Sequence, residues 1–166
     1  MAKAVVITGS NTGEREAALV AAKEAICASA GRVVDCSPVM GSRPWGQFNG
    51  SRTPDFLNQV LVIETALSPD ALLTMTQHIE RELGRTKEYA SDWRGERRYD
   101  SRTIDIDILF YDDRVVESDR LAIPHPRIAE REFVLRPLAA VMPDFPHPVT
   151  GETVCRMLER FDTAQR

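Results

Sequence analysis

Apolar residues follow two different periods along this chain, and the points where one gives way to the other mark out its elements. A short β-branched run at residues 5–8 breaks into the cluster Gly9-Ser-Asn-Thr-Gly13, which predicts a first strand and a turn. Residues 14–30 are alanine-rich, with Ala18, Val20 and Ile26 at helical spacing, and Gly31 falls where a C-cap is expected. A strand is predicted around residues 33–39, an irregular Gly- and Pro-rich stretch over 41–54, and a further strand over 56–65. Ser68 followed by Pro69 reads as an N-cap and a first-turn proline, so a helix is predicted to start there, run to Leu83 and stop at Gly84. Residues 85–102 are polar and nearly free of aliphatics, and a loop of that length in a compact domain is usually functional or disordered. The clearest strand covers residues 103–111, with Ile104, Ile106, Ile108 and Phe110 on one face and Asp105, Asp107 and Leu109 on the other. Short extended runs at 114–116 and 121–123, a helix over 131–140, a connector over 143–148 and a last helix over 153–161 follow.

The order β-α-β-β-α-β predicts an α+β fold, a ferredoxin-like α/β/α sandwich on a mixed or antiparallel sheet. At 166 residues the chain is expected to be a single domain spanning 1–166. Hydrophobic residues at 43% and charged residues at 28% exclude a disordered, collagen-like or coiled-coil chain. No apolar run approaches the ~18 residues of a membrane span. The opening Met1-Ala-Lys-Ala-Val-Val-Ile enters a strand-like run with no long apolar region or cleavage site, so a secretory signal is not expected. Cys27, Cys36 and Cys155 form no CxxC pair and suit reduced core thiols. The expectation is a cytoplasmic monomer with no membrane partner.

Net charge is −4, so the bulk field does not attract nucleic acid. Of the 21 basic residues only Lys3, Lys23 and Lys87 are lysines. That bias suits bidentate grip on phosphate, although a GC-rich genome also produces it.

Asp105 and Asp107 are the sharpest chemical feature. Residues i and i+2 of a strand share a face, so two carboxylates project side by side, and a divalent cation is one usual remedy for their repulsion. The plain alternative is the solvated face of an amphipathic strand, against which stands the poor fit of aspartate to strand interiors. Arg102 lies at the mouth of the same strand, with Arg94, Arg97 and Arg98 behind it. Carboxylates with arginines are what polyphosphate transfer needs. Glu88, Asp92, Glu96 and Asp100 interleave with those arginines and argue against a nucleic-acid patch, while a solvated loop remains open. There is no Walker motif and no GxGxxG. His125 sits between two prolines, and Trp45, Phe48, Phe56 and Phe133 could line a slot for a flat ring or simply fill core.

Taken in order, these pieces resemble one family, 6-hydroxymethyl-7,8-dihydropterin pyrophosphokinase of folate biosynthesis. The likeness runs nearly end to end: Gly9-Ser-Asn11, Pro44-Trp-Gly46, Pro54-Asp-Phe-Leu-Asn58, Ile79-Glu80 through Gly84-Arg85, Arg102-Thr-Ile-Asp-Ile-Asp-Ile-Leu109, Pro124-His-Pro-Arg127 and Arg131-Glu-Phe-Val-Leu135. The resemblance implies an enzyme that moves pyrophosphate from ATP to a pterin alcohol and releases AMP. It implies that Asp105 and Asp107 hold two Mg²⁺ ions, and that Arg102, His125 and Arg131 contact the triphosphate. Arg85 and Arg120 would lie at the nucleotide end with Arg98; Gln77 and Glu80 would face the nucleotide, and Ile108 the adenine. Asn58 would hydrogen-bond the pterin, its ring between Phe56 and Phe133, with Ser42, Pro44 and Trp45 completing the pocket. Segments 41–55 and 85–102 are expected to close over the substrates. Tyr99-Asp-Ser101 stands where the family commonly has aromatic-Gly-Pro, and Thr12 replaces a usual apolar residue. Two rivals remain open at this point, another divalent-metal enzyme using the same aspartates and a non-catalytic ferredoxin-like binding module.

Overall fold

A computed structural model describes residues 1–11, 14–42, 56–85 and 104–165. Strand β1 (Ala2–Ser10) is buried along nearly its whole length, and that burial is what a central strand requires. On one side β4 (Phe56–Thr65) pairs with it antiparallel from Ala2↔Thr65 to Ser10↔Leu57. On the other side lies β5 (Asp105–Tyr111), also antiparallel. Strands β2 (Arg32–Cys36) and β3 (Met40–Ser42) pair with successive parts of β4, so the order is β2-β4-β1-β5 with β3 beside β4. Both β1 and β2 run antiparallel to β4, hence parallel to each other, and helix α1 (Arg15–Ser29) makes the crossover. This is the ferredoxin-like α+β arrangement the element order predicts, with an antiparallel sheet.

Alternation along β1 divides the core in two. Ala4 and Val6 face α1 and α2 (Pro69–Glu80), where Leu19, Ile26, Ile63, Leu72 and Ile79 fill one cluster. Val5 and Ile7 face α3 (Glu132–Val141) and α4 (Val154–Ala164), where Val60, Leu135, Leu138 and Met157 fill the other. Each such side chain contributes about 1.5–3 kcal/mol on full burial. The minor strands β6 (Val116–Glu117) and β7 (Ala122–Ile123) form a hairpin before α3. No described helix is long and apolar enough to cross a membrane.

Helix α1 stops where predicted: Gly31 follows the C-cap Ala30 directly, and its N–H donates to the Ile26 carbonyl oxygen at 3.1 Å. Glycine is needed there for a second reason, because α1 returns hard against β4 and a Cβ at position 31 would collide with the Glu64 carbonyl oxygen. Three expectations need correction. The strand predicted over 33–39 is two strands, separated where the Ser37 hydroxyl accepts from the Val60 N–H. The second helix does not run to Leu83 in α form, because residues Arg81–Arg85 wind as a π-turn. The last correction concerns β5. Val6 pairs with Ile108 and Val5 with Phe110, leaving Leu109 as the extra residue of a bulge. Beyond it the faces exchange, so Phe110 joins the α3/α4 cluster and Tyr111 the α1/α2 cluster.

Candidate active site

The bulge lies past both aspartates, so Asp105 and Asp107 sit in regular register. Directly paired residues of an antiparallel ladder share a face. Asp105 pairs with Gly9, and Gly9 pairs with Asn58, which sets Asn58, Gly9 and Asp105 in one row across β4, β1 and β5. The next row on that face is Val60, Ile7 and Asp107, and its two apolar members belong to the α3/α4 cluster. Phe56 lies two residues before Asn58 and therefore shares its face. Along this side the sheet thus turns from apolar to polar where β1 ends and β4 and β5 begin. Two inter-strand spacings separate Asn58 from Asp105, roughly 10 Å. Asn58 is 4% exposed, whereas Phe56, Asp105 and Asp107 are half-buried.

Among the described strands β5 is the edge of the sheet, so alternate backbone groups face away from β1 and need partners. Glu80, 4% exposed at the end of α2, accepts the Ile106 N–H at 3.0 Å through Oε2. The His125 N–H donates to the Leu109 carbonyl oxygen at 3.0 Å. These contacts hold the strand between and beyond the aspartates. The family resemblance directs Glu80 at the nucleotide; the contact with β5 carries no sequence signal, because it joins residues 26 apart through tertiary packing.

His125 leaves the hairpin next to β5, and its Nδ1 accepts the Arg127 N–H at 3.2 Å. The neutral ring therefore carries its proton on Nε2, a donor. Burial pushes the His125 pKa below its ordinary 6.5, the Arg131 and Arg127 guanidiniums push the same way, and Asp105 opposes them. As pH falls below 6.5 the unfolded chain takes up this proton first, so stability drops down to the lowered folded value and then levels off. In the metal-free protein, His125→Gln is expected to make the fall in unfolding free energy below pH 6.5 shallower. What slope remains includes His147, whose pKa burial also lowers. Urea denaturation at a series of pH values checks this, and an unchanged slope overturns it.

Arg131 precedes the first turn of α3 and places its guanidinium carbon 5.5 Å from the centre of the Phe133 ring. Its Nε is buried and makes no hydrogen bond among the described residues. A buried guanidinium donor in that condition suits an anionic ligand. Phe133, half-buried against the α3/α4 cluster, is thus tied to the Arg131 side chain.

The other candidates divide. Arg120 donates to Thr74 Oγ1 at 3.1 Å and lies exposed beside α2, on which Gln77 is half-buried. Ile108 is 4% exposed inside the α1/α2 cluster, on the face of β5 opposite the aspartates, so its side chain is not brought to them. Ser42 is placed by its backbone pairing with Phe56, and Arg85 closes the π-turn after α2. Arg98, Arg102, Pro44 and Trp45 lie outside the described residues, as do most of segments 41–55 and 85–102. At the end of β1, Ser10 Oγ and Asn11 Oδ1 are buried without hydrogen-bond partners among the described residues.

Among the described residues no three His, Cys, Asp or Glu side chains cluster as a complete metal cage. Two hard carboxylates on one rigid strand nevertheless fit Mg²⁺, which keeps waters and takes substrate phosphates as its remaining ligands. Carboxylate oxygens on one strand and a carboxamide two strands away suit the class of site that holds a metal-bound ligand beside a hydrogen-bonding one.

Comparison with known proteins narrows that class. Residues 5–143 match the family described as 7,8-dihydro-6-hydroxymethylpterin-pyrophosphokinase. The chain is 39% identical over 163 residues to 2-amino-4-hydroxy-6-hydroxymethyldihydropteridine pyrophosphokinase of Methylorubrum extorquens, covering 98% of this chain and 95% of that protein. It is 39% identical over 139 residues to the enzyme of the same name from Bacillus subtilis, covering 83% of this chain and 77% of the relative. It is also 40% identical over 153 residues to the folic acid synthesis protein fol1 of Schizosaccharomyces pombe, of which it spans only 19%. Among solved structures, Plasmodium falciparum HPPK-DHPS superposes with a TM-score of 0.76 over 99% of this chain and 45% of that one, at 14% identity, a likeness of fold. The chain belongs to the 7,8-dihydro-6-hydroxymethylpterin-pyrophosphokinase family. It is accordingly an enzyme, a pyrophosphokinase with ATP as co-substrate.

Proposed function

We propose that this chain, as a single domain, transfers pyrophosphate from ATP to the hydroxymethyl group of 6-hydroxymethyl-7,8-dihydropterin in folate biosynthesis, with residue roles that follow from the face shared by Asn58, Asp105 and Asp107. The hydroxymethyl oxygen forms a bond to the β-phosphorus as the bond from that phosphorus to the α,β-bridging oxygen breaks. The bridging oxygen leaves with AMP, and the hydroxyl proton goes to solvent. A primary alcohol needs positioning more than a strong base.

Asp105 and Asp107 would hold Mg²⁺, which when bound neutralises phosphate charge. The His125 Nε2–H and the Arg131 guanidinium donate to phosphate oxygens. Asn58 hydrogen-bonds the polar edge of the pterin, and Phe56 and Phe133 stack on its ring. Because Arg131 lies over Phe133, filling the phosphate side steadies the wall of the pterin side. The observation that carries this reading is the single row Asn58–Gly9–Asp105, which sets a carboxamide and a carboxylate on one floor at a separation suited to two adjoining ligands.

The reading is tested by incubating the protein with ATP, Mg²⁺ and the pterin alcohol and resolving the nucleotides produced. AMP is expected in equal amount to pterin diphosphate, lost on chelation of the metal or omission of pterin. Release of ADP or free phosphate in its place overturns the assignment.

A further inference from the structure

Strand β1 carries a buried glycine next to its last residue, and backbone geometry does not ask for one. The one described glycine with a positive φ is Gly151; Gly9 lies in the extended ladder, paired on both sides. Glycine weakens a strand interior, and its usual justification there is the close approach of another group. The structure names that group. A Cβ built on Gly9 would lie 2.8 Å from Asn58 Oδ1, with Asn58 Cγ at 3.9 Å and the Leu57 carbonyl oxygen at 3.8 Å. Real Cβ atoms do not approach an oxygen so closely. All three nearest atoms belong to β4, none to the aspartate-bearing strand β5. Asn58 is 4% exposed and has little room to turn aside.

We propose that Gly9 is a specificity-determining positioning residue: its bare Cα leaves the space in which the Asn58 carboxamide lies, and so sets the angle at which that amide meets the flat ring. The inference rests on Asn58 facing the pterin. Gly9 acts through Asn58 and touches neither substrate in this account. A methyl group at position 9 tilts the amide out of the plane of the ring's polar edge, so hydrogen bonds made in the bound complex are lost while the ring can still stack. The phosphate side, held by Asp105, His125 and Arg131, keeps its geometry.

The test is a double-mutant cycle on Gly9→Ala and Asn58→Ala, read as pterin KM, as binding of a non-hydrolysable ATP analogue with Mg²⁺, and as Tm. Gly9→Ala is expected to raise the pterin KM about 10- to 100-fold, as loss of one or two hydrogen bonds would, with analogue affinity within about twofold of the parent. In the Asn58→Ala background, where the clashing oxygen is gone, Gly9→Ala is expected to leave the pterin KM within about twofold. Should Gly9→Ala alone fold poorly, the double variant compared with Asn58→Ala still decides, since a further rise in pterin KM there overturns the inference. Additive losses in the pterin KM, or loss of ATP-analogue binding as large as the loss for pterin, overturn the inference. A parent protein that shows no pterin-dependent AMP release sinks the functional reading itself, a result distinct from a parent that works and a Gly9→Ala variant that works equally well.

Discussion

Asp105→Ala is expected to lower the rate of pterin-dependent AMP release by roughly 10³-fold or more, since electrostatic stabilisation of a transferring phosphoryl group by metal is worth several kcal/mol. The fold should survive. Asp105 begins β5 rather than filling the core, and its backbone pairing with Gly9 does not depend on its side chain. The sharper signature is linkage: a ligand that binds only the folded state raises Tm with its concentration. The parent should gain Tm with Mg²⁺ and a non-hydrolysable ATP analogue together, and Asp105→Ala should lose most of that gain. A variant that retains Mg²⁺-dependent turnover near the parental rate would remove Asp105 from the metal site.

Phe110→Ala should produce the largest loss of stability. Its ring is 1% exposed and packs 4.8 Å, centre to centre, from Phe145 on the α3/α4 side. Truncating such a ring to alanine costs about 3–5 kcal/mol. For a chain of this size each kcal/mol moves Tm by about 2–4 °C, so a drop of roughly 6–20 °C is expected by calorimetry. The same residue tests the bulge. If Leu109 is the extra residue of β5, Phe110 and Phe145 are neighbours, and their alanine variants should be non-additive by about 0.5–1.5 kcal/mol. Additive effects would return Phe110 to the α1/α2 face that simple alternation assigns it.

That alternation shows where sequence reasoning reaches and where it stops. The strand at 56–65 and the helix start at Ser68-Pro69 are observed as predicted, because each rests on local chemistry. The Ser68 hydroxyl accepts the Ala71 N–H at 3.2 Å, a contact three residues long. Period-two reasoning also places Asp105 and Asp107 on one face correctly, since both precede the bulge. It fails three residues later, because a bulge is a compromise between two strands about a hundred positions apart and leaves no mark on either. The close approach that Gly31 permits leaves no mark on the sequence for a similar reason: the residue it makes room for, Glu64, is on another strand.

The candidate site divides along the same line. Its reagents are legible one by one: two carboxylates at alternate positions, a histidine between prolines, an arginine two residues before a phenylalanine. Their ordered recurrence along the chain was enough to indicate the family. The row across β4, β1 and β5, the Glu80 carboxylate clamped to the Ile106 amide and the donor left unsatisfied on Arg131 exist only once distant segments pair. Element identity comes from energies that act within a few residues, which periods of 2 and 3.6 express directly. Register, bulges and burial come from hydrogen bonds and packing between segments that approach each other only in the folded chain, and those interactions decide which of the available side chains face one another.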